Sequence, residues 1–267
     1  QSFYAVRRER SIIGSIGLGT STYFGELANP GDYLDTKPSL NVGIQYFFTN
    51  RISVRSELTW FELQGDDAKA DDNGRVLRNL SFMSNNWELN ATGAISLFPL
   101  GQRFYQRPKV NLYGFAGIGM LYSNPKAELN GEKIALQPLQ TEGVEYNKFN
   151  FVIPYGFGVR LMLNPFMNLS IESGHRLTFT DYLDDVSTVY KDQGAFTDPI
   201  AAALADRRPE IGLPVRPEGS KRGNPEKNDA YMQLNVKLEY YIPDDVFWNS
   251  NGKLYRSKRK AYYRRRR

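Results

Sequence analysis

Hydrophobic and polar residues alternate with period two in eight stretches, and no stretch shows a convincing helical spacing of three to four. In the last stretch Met232, Leu234, Val236, Leu238 and Tyr240 alternate with Tyr231, Gln233, Asn235, Lys237 and Glu239. The third sets Ile52, Val54, Leu58 and Trp60 against Ser53, Arg55, Glu57 and Thr59, and the fourth sets Trp87, Leu89, Ala91, Ile95 and Leu97 against Glu88, Asn90, Thr92 and Ser96. The second (residues 40–48), sixth (149–163) and seventh (169–176) repeat the pattern, and residues 11–24 and 110–122 carry Gly-rich versions of it. Most stretches span roughly 10 residues or more, enough to cross a bilayer as tilted strands.

A soluble sandwich also alternates, so the connectors decide. Three are short: 49–51, 99–108 and 164–167; four are long: 25–37, 64–84, 123–147 and 180–229. Short and long follow each other strictly, as periplasmic turns and extracellular loops do in outer-membrane barrels. Aromatics stand near segment ends (Tyr46, Phe47, Phe48; Trp60, Phe61; Phe104, Tyr105; Tyr240, Tyr241) and are expected to form interfacial girdles. The prediction is an all-β protein: an eight-stranded antiparallel transmembrane β-barrel with long extracellular loops. Residues 1–10 would precede the barrel, residues 11–241 form it, and residues 242–267 make a basic periplasmic C-terminal tail. An even strand count places both termini in the periplasm. Gln1 in place of Met is taken as the start of an exported chain whose signal peptide has been removed.

Parity predicts the lumen. Arg55, Glu57, Glu88, Arg160, Glu172, Arg176, Lys237 and Glu239 all oppose the apolar positions. In a barrel they point inward and pair with one another. Eight strands leave an interior that side chains fill, so a general porin is not expected.

Composition narrows the chemistry. There is no Cys and one His, which excludes disulfide scaffolds and thiol chemistry and leaves one imidazole. Neither a metal nor a cofactor is expected. Nine of the positive charges lie in residues 253–267 with no acid among them, so the formal net charge of +5 becomes −4 for the other 252 residues. A basic tail on an acidic body does not describe a nucleic-acid-binding fold. The turn around Arg103, Arg107 and Lys109 also lacks acids, and Arg7, Arg8 and Arg10 outnumber Glu9. The candidate partner-binding residues are therefore Arg103, Arg107, Arg256, Lys258, Arg259, Lys260, Arg264 and Arg265, on a positive periplasmic face.

Two constellations fall short. Ser173 and His175 share the outward parity of the seventh stretch and resemble, in reversed order, the pair of lipid A deacylases, but Glu172 has the opposite parity and cannot orient the imidazole. The acidic run from Asp66 to Gly74 misses the calcium-loop spacing and is taken as a solvated tip. In the longest loop, Leu183, Val186, Val189 and Tyr190 form an apolar, ordered first half, whereas the Pro-rich residues 208–228 are expected to be irregular and mobile.

The run RLTFTDYLDDVSTVYKD (176–192) and the stretch SLNVGIQYFFTNRISVRSEL (39–58) resemble the PorG-like (DUF6089) family of small outer-membrane barrels of Bacteroidota. The resemblance spans residues 11–241. It implies an accessory barrel of the type IX secretion system, in the outer membrane and in contact with its lipids. It further implies a monomeric barrel within a larger complex, bound to periplasmic PorK/PorN-like ring subunits and linked to protein export and gliding motility. No catalytic residue comes with it. The alternatives are a lipid-modifying outer-membrane enzyme, or a structural or adhesive barrel acting through its outer loops.

Overall fold

The computed structural model describes residues 10–243 apart from 30, 32 and 102. Strands β1 (Ile12–Phe24), β2 (Lys37–Phe47), β3 (Ile52–Asp66), β4 (Ser81–Ser96) and β5 (Val110–Tyr122) are followed by a small hairpin, β6 (Pro125–Leu129) and β7 (Glu132–Ala135). Then come β8 (Phe149–Asn164), β9 (Met167–Thr178) and β10 (Ala230–Ile242). Each barrel strand pairs antiparallel with its neighbour, and β1 closes on β10 from Ile12↔Ile242 to Phe24↔Ala230. The result is a closed eight-stranded barrel, and closure leaves no unpaired edge for lipid to meet. Among the described residues no helix is long and apolar enough to cross a membrane.

The outer belt is apolar. Leu18, Leu40, Val42, Leu58, Leu89, Ile118, Phe157 and Val236 are exposed, several by more than half. The inner face is polar and buried, from Ser39 and Asn41 through Thr92 and Asn111 to Gln233 and Asn235. This is the inversion of a soluble protein, and it follows when lipid replaces water outside. The Gly-rich strands answer to crowding inside: a Cβ on Gly158 would stand 2.6 Å from the Tyr113 ring and 2.9 Å from the Glu172 side chain.

Beyond the belt the polarity reverses. β3 and β4 continue past Trp60 and Trp87, which pair across the strands, into a part where Phe61, Leu63 and Phe82 point inward and Glu62 and Gln64 point outward. There the outside is water and the inside is a dry cap. Three of the four aromatic groups expected as girdle are accordingly split, and Phe104 and Tyr105 both pack in the turn at the short-turn end. Tyr46, Phe48 and Tyr240 face outward, whereas Phe47, Phe61, Phe104 and Tyr241 are buried within.

Candidate functional site

The lumen holds an electroneutral network of four cations and four carboxylates, all eight buried. Arg55 pairs with Glu57 at 2.9 Å and with Glu172, and Lys237 bridges the same two carboxylates from the other side. Arg160 holds Glu239 through Nε at 2.6 Å and Nη2 at 2.9 Å. Arg176 reaches Glu88 at 3.3 Å, and the Tyr231 hydroxyl donates to the same carboxylate at 2.7 Å. Every residue expected from parity to face inward does so and meets a partner of opposite sign.

Both ends are closed. At the short-turn end the β4–β5 connector folds beneath the barrel, and Phe104 packs on Ile13, Phe47 and Tyr241 with Leu100, Tyr105 and Phe166 around it. Arg107 pins this plug. Its guanidinium donates to Asn168 Oδ1 at 2.8 Å and to the carbonyls of Phe104, Asn164, Pro165 and Met167, and lies over the Tyr241 ring at 4.6 Å. Arg107, expected as a docking residue, is thus committed to the protein's own turns. Arg103 remains exposed beside Tyr105, and Arg51 and Lys109 are exposed on the same rim. Arg10 is likewise turned inward, donating to the Tyr241 carbonyl with its guanidinium 4.8 Å from the Phe166 ring centroid. The remaining partner-binding candidates, Arg256, Lys258, Arg259, Lys260, Arg264 and Arg265, lie outside the described residues, as do Arg7, Arg8 and Glu9.

At the long-loop end the connectors build a cap. Leu27, Leu80, Leu136, Leu183, Val186 and Leu204 join Tyr23, Phe61 and Phe82 in one apolar core. Two short helices, α1 (Asn73–Val76) and α2 (Pro199–Ala205), start on side-chain caps from Asp72 and Asp198. Helices of four and seven residues are too short to register as a sequence period. Asp67, taken from sequence as part of a solvated tip, is fully buried and paired with Arg75 at 3.2 Å and Arg78 at 2.6 Å. The Pro-rich stretch is irregular, yet Arg222 anchors it between Glu142 and Asp185. Arg222 holds the Glu142 carboxyl below its ordinary range, while burial pushes Asp185 up to about 6. Asp71 and Asp72 are exposed as expected, whereas Asp67 departs from the solvated tip because sequence shows the charge run but not the guanidiniums folded over it.

Ser173 and His175 lie on the outer surface. Ser173 Oγ contacts the Met232 sulfur at 3.9 Å, His175 stacks on Tyr155, and Glu172 is on the lumen side.

A closed, lumen-filled barrel with an apolar belt and long loops on one side defines an outer-membrane β-barrel protein. The model of the outer membrane protein beta-barrel domain matches residues 9–196, and the chain belongs to that family. No curated protein sequence matches the chain. Among solved structures, Neisserial surface protein A is 9% identical, with a TM-score of 0.45, over 87% of this chain and 97% of that one. A major outer membrane protein of Thermus thermophilus is 12% identical, with a TM-score of 0.43, over 87% of this chain and 100% of that one. Ail of Yersinia pestis, in complex with the heparin analogue sucrose octasulfate, is 12% identical, with a TM-score of 0.42, over 87% of this chain and 98% of that one.

Proposed function

We propose that the protein is an accessory barrel of the type IX secretion system that docks a periplasmic ring complex, of PorK/PorN-like subunits, through its short-turn face. The observation that carries this reading is the contrast between a closed, electroneutral lumen and an open basic rim. Among the described residues the lumen is filled by paired charges and packed over at both ends, which favours a function carried by the faces. The three short connectors contain no acid, and they present Arg51, Arg103 and Lys109 to solvent. β10 ends at Ile242 on this same face, so the nine-charge tail leaves from it. The resemblance of residues 39–58 and 176–192 to the PorG-like family supplies the identity of the partner.

Barrels insert with their long loops outward, which puts the basic face and both termini in the periplasm. Trypsin added to intact cells is expected to cut after Lys221, beside the largely exposed run 209–219, because Pro217 protects the bond after Arg216, and to spare the tail. Cleavage in the tail under these conditions would reverse the topology.

Docking is tested by co-purification of periplasmic subunits with the full chain and with a variant lacking residues 251–267. Every barrel strand ends before this segment, so the variant still inserts. Arg forks bind carboxylates with two parallel hydrogen bonds, and exposed pairs weaken with salt. The truncated barrel is expected to lose most of the captured subunits and to lower secretion of type IX cargo, and wild-type capture is expected to fall as salt rises. Unchanged capture and secretion at every salt concentration would remove the tail as the docking element.

A further inference from the structure

We propose that the loop cap binds a divalent cation, calcium by its chemistry, between Glu26, Asp181 and Asp229. Glu26 follows β1, Asp181 follows β9, and Asp229 immediately precedes β10. Their carboxylate oxygens lie within 4.8 Å of one another. Calcium–oxygen bonds of about 2.3–2.6 Å place two ligand oxygens up to ~5 Å apart across the ion, so the group is compact enough for one ion to span it.

A second observation points to a ligand. Asp181 is only 7% exposed, yet neither of its carboxylate oxygens has a hydrogen-bond partner; Ser187 stands beside it without a bond of normal geometry. Glu26 Oε2 is buried and unpartnered as well, while Oε1 accepts from the Asn224 amide at 3.2 Å. Orphaned buried acceptors are rare, because each forfeits its hydration without compensation. Asp229 is held in place by the Tyr23 hydroxyl at 2.7 Å and the Leu183 amide at 2.9 Å, and Tyr23 also contacts Asp184 at 2.7 Å. Among the described residues no ion pair reaches Glu26, Asp181, Asp184 or Asp229. The guanidiniums nearby are taken: Arg75 and Arg78 by Asp67, and Arg222 by Glu142 and Asp185.

Three buried acids and the half-buried Glu26, with no cation paired to them, make a site that an external positive charge would neutralise. The donor set is all carboxylate oxygen, with neither His nor Cys, which suits a hard ion. The ligands come from separate loop segments with no octahedral template, which suits the flexible coordination of calcium over magnesium. Modules that work outside the cell need only a Kd of about 10⁻⁴–10⁻³ M. The ion would clip the first loop to both ends of the longest one, residues 179–229.

The full-length chain, refolded in detergent without lipopolysaccharide, is titrated with CaCl2 and with MgCl2 by calorimetry. The trypsin sensitivity of the Lys221–Arg222 bond is followed in parallel. One saturable calcium site is expected, about tenfold tighter than for magnesium, with slower cleavage when it is filled. Asp181→Asn and Glu26→Gln should each weaken calcium binding about tenfold or more. Asp71→Asn, on the exposed part of the second loop, should not. Folding of each variant is checked by heat-modifiable gel mobility. Should Asp181→Asn fail to fold, the half-buried, isosteric Glu26→Gln decides. Three outcomes overturn the proposal: no saturable calcium binding by the wild type, unchanged binding in the folded variants, or loss of binding in Asp71→Asn alone. If Asp181→Asn instead stabilises a barrel that binds no calcium, protons and not a metal occupy the cluster.

Discussion

Replacing Lys237 by Met is expected to destabilise the barrel by about 3–5 kcal/mol, the usual cost of leaving a buried ion pair half removed. Lys237 is 2% exposed and its ammonium touches both Glu57 and Glu172. Without it the two carboxylates share Arg55 alone, and the lumen carries one net negative charge among side chains that are almost fully buried. Met fills most of the same volume, so the loss is of charge balance more than of packing. The lipid-facing side of β10 is untouched, so the variant should still insert. A second substitution, Glu57→Gln, restores neutrality and is expected to recover more than half of the loss. The measurement is urea unfolding in detergent or vesicles, followed by heat-modifiable mobility, for wild type, Lys237→Met, Glu57→Gln and the double variant. A Lys237→Met barrel within about 0.5 kcal/mol of wild type, the scatter of ordinary surface changes, would mean that water or a counterion reaches the lumen.

The lumen was legible in the sequence because one rule covers it. Between the two rims each inward residue alternates with a lipid-facing one, so Arg55, Glu57, Glu172 and Lys237 could be placed on one surface before any pairing was known. The rule expires at the rims. At Phe61 and Leu63 the parity of β3 is kept while its meaning flips, because water lies outside and the cap lies inside. A reading that equates apolar with outward stops at Trp60 and assigns Phe61 to the girdle. The same reversal hides the plug: Phe104 and Tyr241 look like rim aromatics until the turn folds inward under Arg107. Arg107 itself looked like a free charge, since nothing in the composition of a turn says that five acceptors from two segments will converge on it. The cap was the least legible part. Its contacts join Glu26 to Asp229, Arg78 to Asp67 and Glu142 to Arg222, across separations that no local spacing encodes.

The second large effect is expected from Arg222→Met, and it should open the cap while leaving the barrel intact. Arg222 is 3% exposed; it donates to Glu142 Oε1 at 2.8 Å, to the Asp185 carbonyl at 2.5 Å and to the Ala205 carbonyl at 3.2 Å. It thereby ties the Pro-rich stretch to α2, to the β7–β8 connector and to the start of the longest loop. Glu142 depends on it and in turn accepts from the Ser187 and Thr188 amides at 3.0 and 2.8 Å. Removing the guanidinium leaves Glu142 and Asp185 buried without a counter-charge, at a cost of about 3–5 kcal/mol borne by the cap alone. Hydrogen exchange at the Ser187 and Thr188 amides should accelerate accordingly, while exchange in β9 and β10 stays unchanged. Chelator in the buffer keeps bound cations out of the comparison. The pH dependence identifies the cause. In the wild type Glu142 is held below its ordinary range, so its contribution is present above its unfolded pKa and fades as pH falls through the folded one. Asp185, pushed up to about 6, acts with the opposite sign and costs stability as pH rises through that value. In the variant both carboxyls lose Arg222, both shift upward, and both then oppose the closed cap as they ionise. The gap between wild type and variant should therefore be widest near neutral pH and narrow toward pH ~4, where the two acids take up protons. A gap of constant size across that window would assign the effect to lost packing and hydrogen bonds instead of charge.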